Sequence, residues 1–202
     1  VPGERFRARF EAMVAALREH PHITVIDADI PPPLPADRLR VLALPDDVRP
    51  FYAEMNGFTL EWRHDLEAVR EGTDRDTGVI EIVPAEELLR DWKGQLWFDD
   101  DPTYRDVKPF DFFAAEACSG FAGKSPNIHY HYLGESLFDT GWQFDDYIDR
   151  LLMSRGSWYW ILTISRGYGA SDDTDAFFRR MPRLFADFDP AMFRPGPDRS
   201  IN

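Results

Sequence analysis

His129 and His131 alternate along Asn127-Ile128-His129-Tyr130-His131-Tyr132-Leu133, a run rich in strand-forming residues. Alternation puts both imidazoles on one face of a strand, the spacing that lets two histidines share a metal ion. Such a site needs a third ligand, and only Glu135 or Asp139 stands nearby. The competing reading makes the two histidines one face of a sheet, with Tyr130 and Tyr132 on the other. Asp99-Asp100-Asp101 offers hard oxygen ligands but lacks the spacing of a calcium loop, so it reads as a solvated acidic turn. Cys118 is the single cysteine; without an identifiable catalytic partner it reads as a small buried hydrophobe. Gly120-Phe121-Ala122-Gly123-Lys124-Ser125 looks like the end of a phosphate loop. It lacks the upstream glycine, and Pro126 disfavours a helix beginning there. No cofactor is expected from these motifs.

The elements that would position these residues are readable from periodicity. Phe6, Phe10, Met13, Val14 and Leu17 form one helical stripe that ends at Pro21. Ile23-Thr24-Val25-Ile26 predicts a short strand, and Pro31-Pro32-Pro33 a stiff connector. Pro45-Asp46-Asp47 opens a second helix carrying Val48, Phe51, Tyr52 and Met55, closed by Asn56-Gly57. Phe58–Trp62 alternates as a half-buried strand, and Val79–Val83 predicts another. Residues 91–111 predict a surface excursion, and residues 110–121 are apolar enough for core without a clean period. Phe144–Met153 predicts an amphipathic helix, and Trp158–Ile164 a strand or extended segment. A short helical piece follows over residues 175–185.

The chain has 202 residues and a net charge of −13. The acid is concentrated: residues 71–150 hold 18 acidic and 7 basic side chains, whereas the flanking thirds are near balance. A negative field repels phosphate backbones and anionic lipid, which argues against nucleic-acid and membrane partners. It attracts a basic protein and speeds its encounter. No apolar run approaches the roughly 20 residues of a membrane helix. No apolar segment follows the N-terminal residues, and a lone cysteine suits a reducing compartment, so the expected location is cytoplasmic.

Three segments together resemble the SUKH superfamily: Leu44–Trp62 (LPDDVRPFYAEMNGFTLEW), Gly78–Leu88 (GVIEIVPAEEL) and Phe144–Ile161 (FDDYIDRLLMSRGSWYWI). That group contains fungal cell-wall-synthesis regulators and bacterial immunity proteins of polymorphic toxin systems. The resemblance implies an α+β fold, with helices around a mostly antiparallel sheet in a single domain, and protein binding without catalysis. It also implies architectural roles for Leu44, Pro45, Asn56, Gly57 and Tyr147. On this reading residues 1–43 are an arm packed on the main body, 44–166 the core and 167–202 a C-terminal extension.

The expected function is immunity: neutralising a basic toxin domain through an acidic surface. The expected contact residues are Trp97, Asp99, Asp100, Asp101, Asp106, Asp111, Asp145 and Asp146. Trp97 and Phe98 are the available aromatic anchors, with Phe98 the one expected in the core. Two alternatives stand beside this: a regulator or scaffold with a housekeeping partner, and a metal-dependent enzyme using His129 and His131.

Overall fold

A computed structural model describes residues 6–132 and 136–197. Seven antiparallel strands form one sheet whose spatial order equals their chain order: β1 (Ile23–Asp29), β2 (Phe58–His64), β3 (Thr77–Ile82), β4 (Val107–Ala114), β5 (Ala117–Ala122), β6 (Ile128–Tyr132) and β7 (Ser136–Asp139). Every neighbour in such a meander is joined by a local connection, so no crossover is required.

The inner face of the sheet carries the main core. Phe58, Leu60 and Trp62 of β2 and Ile80 and Ile82 of β3 are buried there, because alternate residues of a strand share a face. The helices α1 (Arg7–Glu19), α2 (Ala36–Val41), α3 (Arg49–Glu54), α4 (Ala85–Leu88), α5 (Phe144–Ser154), α6 (Trp160–Ile164) and α7 (Asp172–Leu184) complete the fold. Phe10 of α1, Phe51 of α3 and Phe144 of α5 meet edge to face, with Phe10 and Phe51 centroids 5.9 Å apart and Phe51 and Phe144 5.8 Å apart. Glu54 caps α1 by accepting from the backbone N–H of Phe6 (2.6 Å) and Arg7 (2.9 Å). Residues 6–43 thus supply a strand and two helices, α1 and α2, to the common sheet and core. Residues 168–197 contribute as well, since Phe177, Met181 and Leu184 of α7 are buried in that core.

Asn56 and Gly57 join α3 to β2 for a physical reason. Gly57 has φ +106°, and a Cβ there would sit 2.7 Å from the Ile82 carbonyl oxygen. Asn56 Oδ1 accepts from Ala85 N–H at the start of α4 (3.0 Å).

One expectation is corrected, and another, the core without a clean period over residues 110–121, is borne out. Trp158–Ile164 is not a strand: its last five residues form α6. Trp160, Ile161, Leu162 and Ile164 are all buried, and a helix apolar on nearly every side has no period to distinguish it from a buried strand. Residues 110–121 fall into β4 and β5, where register shifts near Phe110 and after Asp111 break the alternation.

Asp111 is fully buried where β3 meets β4. Its Oδ1 accepts from Glu81 N–H (3.0 Å) and its Oδ2 from the Tyr147 hydroxyl on α5 (2.8 Å). Burial pushes this carboxyl up to about 6, against the opposing pull of those two hydrogen bonds. The folded state therefore holds the Asp111 proton more tightly than the unfolded chain does. The resulting stability is fully present below about pH 4 and is lost as pH rises through about 6. Urea unfolding across that window should show the protein losing stability relative to Asp111→Asn, which cannot ionise. A pH-independent difference between the two would contradict this. Asp111→Ala strands two buried donors and should cost about 3 kcal/mol.

Candidate functional site

Strands β3 and β4 touch and then part. One register pair, Ile82 with Asp111, and one bond from Val83 N–H to the Phe110 carbonyl (2.8 Å) hold them together. Beyond that point β3 takes a different neighbour, the turn after α5. Val79 N–H donates to the Gly156 carbonyl (3.0 Å), Gly78 bridges Ser157, and Trp158 N–H donates to the Thr77 carbonyl (3.3 Å).

The divergence opens a groove of about 820 Å³ along the outer face of the sheet. This volume lies within the range of roughly 300–1,000 Å³ typical of binding clefts. One wall is Thr59, Val79 and Glu81; the other is Phe112 and Phe113 of β4 with Trp92 and Leu96 from the segment after α4. The asymmetry has a cause. Residues 89–106 fold over the outer face of β4–β7, where Trp92, Leu96, Val107 and Cys118 make a second small core, and they leave β2 and β3 uncovered. Trp92 packs on Phe112 at 5.1 Å and carries the Arg90 guanidinium on its other contact, 3.6 Å from the ring centre.

Charge in the groove is unevenly matched. Arg90 is paired with Glu87 at 2.8 Å. Glu81 has no ion-pair partner among the described residues, and desolvation raises its carboxyl above the usual range. Glu81 is exposed to the groove and faces the aromatic wall of Trp92, Phe112 and Phe113 across it.

The residues expected to form an acidic surface divide three ways. Asp99, Asp100, Asp101 and Asp106 are exposed on the outer layer. Reciprocal backbone bonds between Phe98 and Asp101 (3.0 and 3.1 Å) close their turn, and Asp101 is held below its usual range by accepting from the Thr103 hydroxyl and N–H. Asp145 and Asp146 begin α5 on the inner layer, with the sheet between them and the acidic turn. They stand near Asp47, whose carboxyl burial raises, with Asp145 and Asp46 adding to the effect. Asp111 is a correction: it has no accessible surface, because it sits mid-strand in β4 between β3 and β5 with both oxygens engaged by Glu81 N–H and the Tyr147 hydroxyl.

The aromatic expectations are corrected as well. Trp97 is only 8% exposed, beneath Lys93 and Arg105, with its indole N–H donating to Asp91 Oδ1 (3.0 Å). Phe98, expected in the core, is the exposed ring of the turn.

His129 and His131 share the outer face of β6, as their alternation requires. Each Nδ1 is bonded to a backbone carbonyl, of Asn127 and Ser136 respectively, both at 3.0 Å. Tyr104 covers His131 with ring centres 4.3 Å apart, and desolvation lowers both imidazoles below their usual value. Asp139 is engaged by Arg166 (2.8 Å) and Asn127 (3.2 Å); Glu135 lies outside the described residues. Among the described residues no three histidine, cysteine or acidic side chains gather as metal ligands. Cys118 is buried, which pushes its thiol well above the usual range.

No family model and no curated protein matches this chain. Among the described residues no helix is long and apolar enough to cross a membrane. Function must be read from the groove itself, which periodicity does not reveal. Its one sequence signal is Glu81, the charged residue in the otherwise apolar run Val79–Val83.

The acidic turn and the tryptophan beneath it should separate cleanly in stability. Trp97→Ala is expected to cost about 3 kcal/mol by urea unfolding, as loss of a buried ring does. Neutralising Asp99, Asp100 and Asp101 together to Asn should change stability by under about 1 kcal/mol, since the Lys93–Asp99 pair is exposed. The reverse ranking would contradict this placement.

Proposed function

We propose that the chain is a non-catalytic, cytoplasmic protein-binding protein that receives a basic partner in the β3–β4 groove. The resemblance to SUKH immunity proteins makes a toxin domain the proposed partner. The observation that carries the reading is Glu81, an exposed carboxylate with no ion-pair partner among the described residues, set in a cleft with Trp92, Phe112 and Phe113 in its walls. An arginine or lysine from the partner would supply the missing charge, while its apolar stem packs on the rings.

The remaining charge supports recognition at longer range. A net charge of −13 draws a basic protein toward the surface, and the exposed Asp99–Asp101 turn stands on the same outer layer as the groove. Such steering acts on the association rate and weakens with salt. The groups best suited to chemistry have structural partners instead: Asp111 holds Tyr147 and β3, and both histidines hold backbone carbonyls.

Co-expression with the product of the adjacent gene tests this reading. The two should co-purify, and the partner's toxicity should be relieved. Glu81→Lys places a like charge in the groove and should weaken the complex at least about tenfold. The Asp99–Asp101 neutral variant should chiefly slow association. Failure of the wild-type pair to co-purify, or unchanged affinity of Glu81→Lys, would contradict the reading.

A further inference from the structure

A second cavity, of about 270 Å³, lies across the β4–β5 turn from the groove. Ala114 and Ala115 line the groove, and the next residue, Glu116, lines this pocket. Its other walls are aromatic. Tyr130 and Tyr132 come from β6, Tyr159 directly precedes α6, and Tyr168 lies in the turn after it. Phe138 of β7 stacks on Tyr130 with ring centres 5.9 Å apart and planes at 18°, and meets Tyr168 edge to face at 5.6 Å.

We propose that this pocket binds a cationic head group, the guanidinium or ammonium of an arginine or lysine side chain. Ring faces attract cations through their quadrupole, and several rings around one small cavity form a cage for them. Glu116 supplies a carboxylate with no ion-pair partner among the described residues. Asp173, the other acid in the wall, is already held by Arg75 at 2.5 Å, so Glu116 is the group left to meet an incoming cation. The hydroxyls of Tyr130, Tyr159 and Tyr168 make no hydrogen bonds with the described residues; burial raises all three phenols, and the nearby Asp173 adds to the effect at Tyr159 and Tyr168. The pocket is therefore aromatic, with Glu116 the acid in its wall that has no ion-pair partner among the described residues.

A polypeptide source for the cation rests on the function proposed above. The pocket's own preference is measurable without any partner. The peptide Gly-Arg-Gly, its citrulline counterpart and choline are titrated into the full chain while tyrosine ring resonances are followed by NMR. The arginine peptide should shift Tyr159 and Tyr168 saturably, and the neutral citrulline peptide should not. Tyr168→Ala and Glu116→Gln, both at accessible positions, should each weaken binding about fivefold to tenfold, the size of a partly desolvated cation–π or charge contact. Absence of saturable shifts, an equal response to citrulline, or unchanged affinity in both variants would overturn the proposal. Tighter binding of choline than of the arginine peptide would overturn the polypeptide source. A failed co-purification leaves these readings unaltered, so the two proposals fail separately.

Discussion

The buried carboxylate of Asp111 is the point on which the two halves of this protein meet. Strands β1–β3 and β4–β7 share a single register pair, so the backbone ladder between them is almost absent. Asp111 replaces part of it with a side chain: it takes the Glu81 N–H in place of a neighbouring carbonyl and holds Tyr147 of α5 with its other oxygen. A charge-capable acceptor in the core is costly unless its lone pairs are used, and here both oxygens are occupied. The rest of β3 is held by the turn after α5. That turn needs Gly156, whose φ is +70° and whose Cβ would lie 2.6 Å from Ile80 and Val79. Trp62 secures it by donating to the Arg155 carbonyl (2.7 Å), and Arg180 of α7 donates to Ser157 Oγ (3.1 Å).

This arrangement explains why the molecule has a groove at all. An unbroken seven-stranded ladder would leave no gap between β3 and β4; a ladder that parts after one register pair leaves a cleft with Glu81 on one side and the Trp92–Phe112 stack on the other. The β4–β5 turn separates this cleft from the tyrosine-lined pocket, so the two proposed sites for positive charge lie on either side of one hairpin. The acidity evident in residues 71–150 is thus used in different ways at different depths. On the proposed reading it steers a basic partner from the exposed turn and pairs with it in the groove, while Asp111 holds the fold together.

Local pattern made much of the fold legible, and distance hid the rest. α1, α5 and β2 follow from the repeats Phe10-Met13-Val14-Leu17, Tyr147-Ile148-Leu151 and Phe58-Leu60-Trp62, because each buries one face only. The His129–His131 alternation correctly placed both rings on one face of β6. α6 escaped because Trp160–Ile164 is buried on nearly all sides, and β4 because register shifts interrupt its period. Asp111 was expected at the surface because an acid within an acidic stretch ordinarily faces water. Its partner Tyr147 lies 36 residues away, and no spacing rule joins them. Trp97 and Phe98 exchanged their expected places for a related reason: adjacent aromatics in an irregular segment carry no period that says which one is covered.

The most direct measurement of the central claim is hydrogen exchange on the chain alone and in complex with the product of the neighbouring gene. Binding in the groove should add protection to residues 79–83 of β3, to 90–96 above the cleft and to 112–116 at the β4–β5 turn. Protection confined to α1 or to the helical face around α5, with those three segments unchanged, would contradict it.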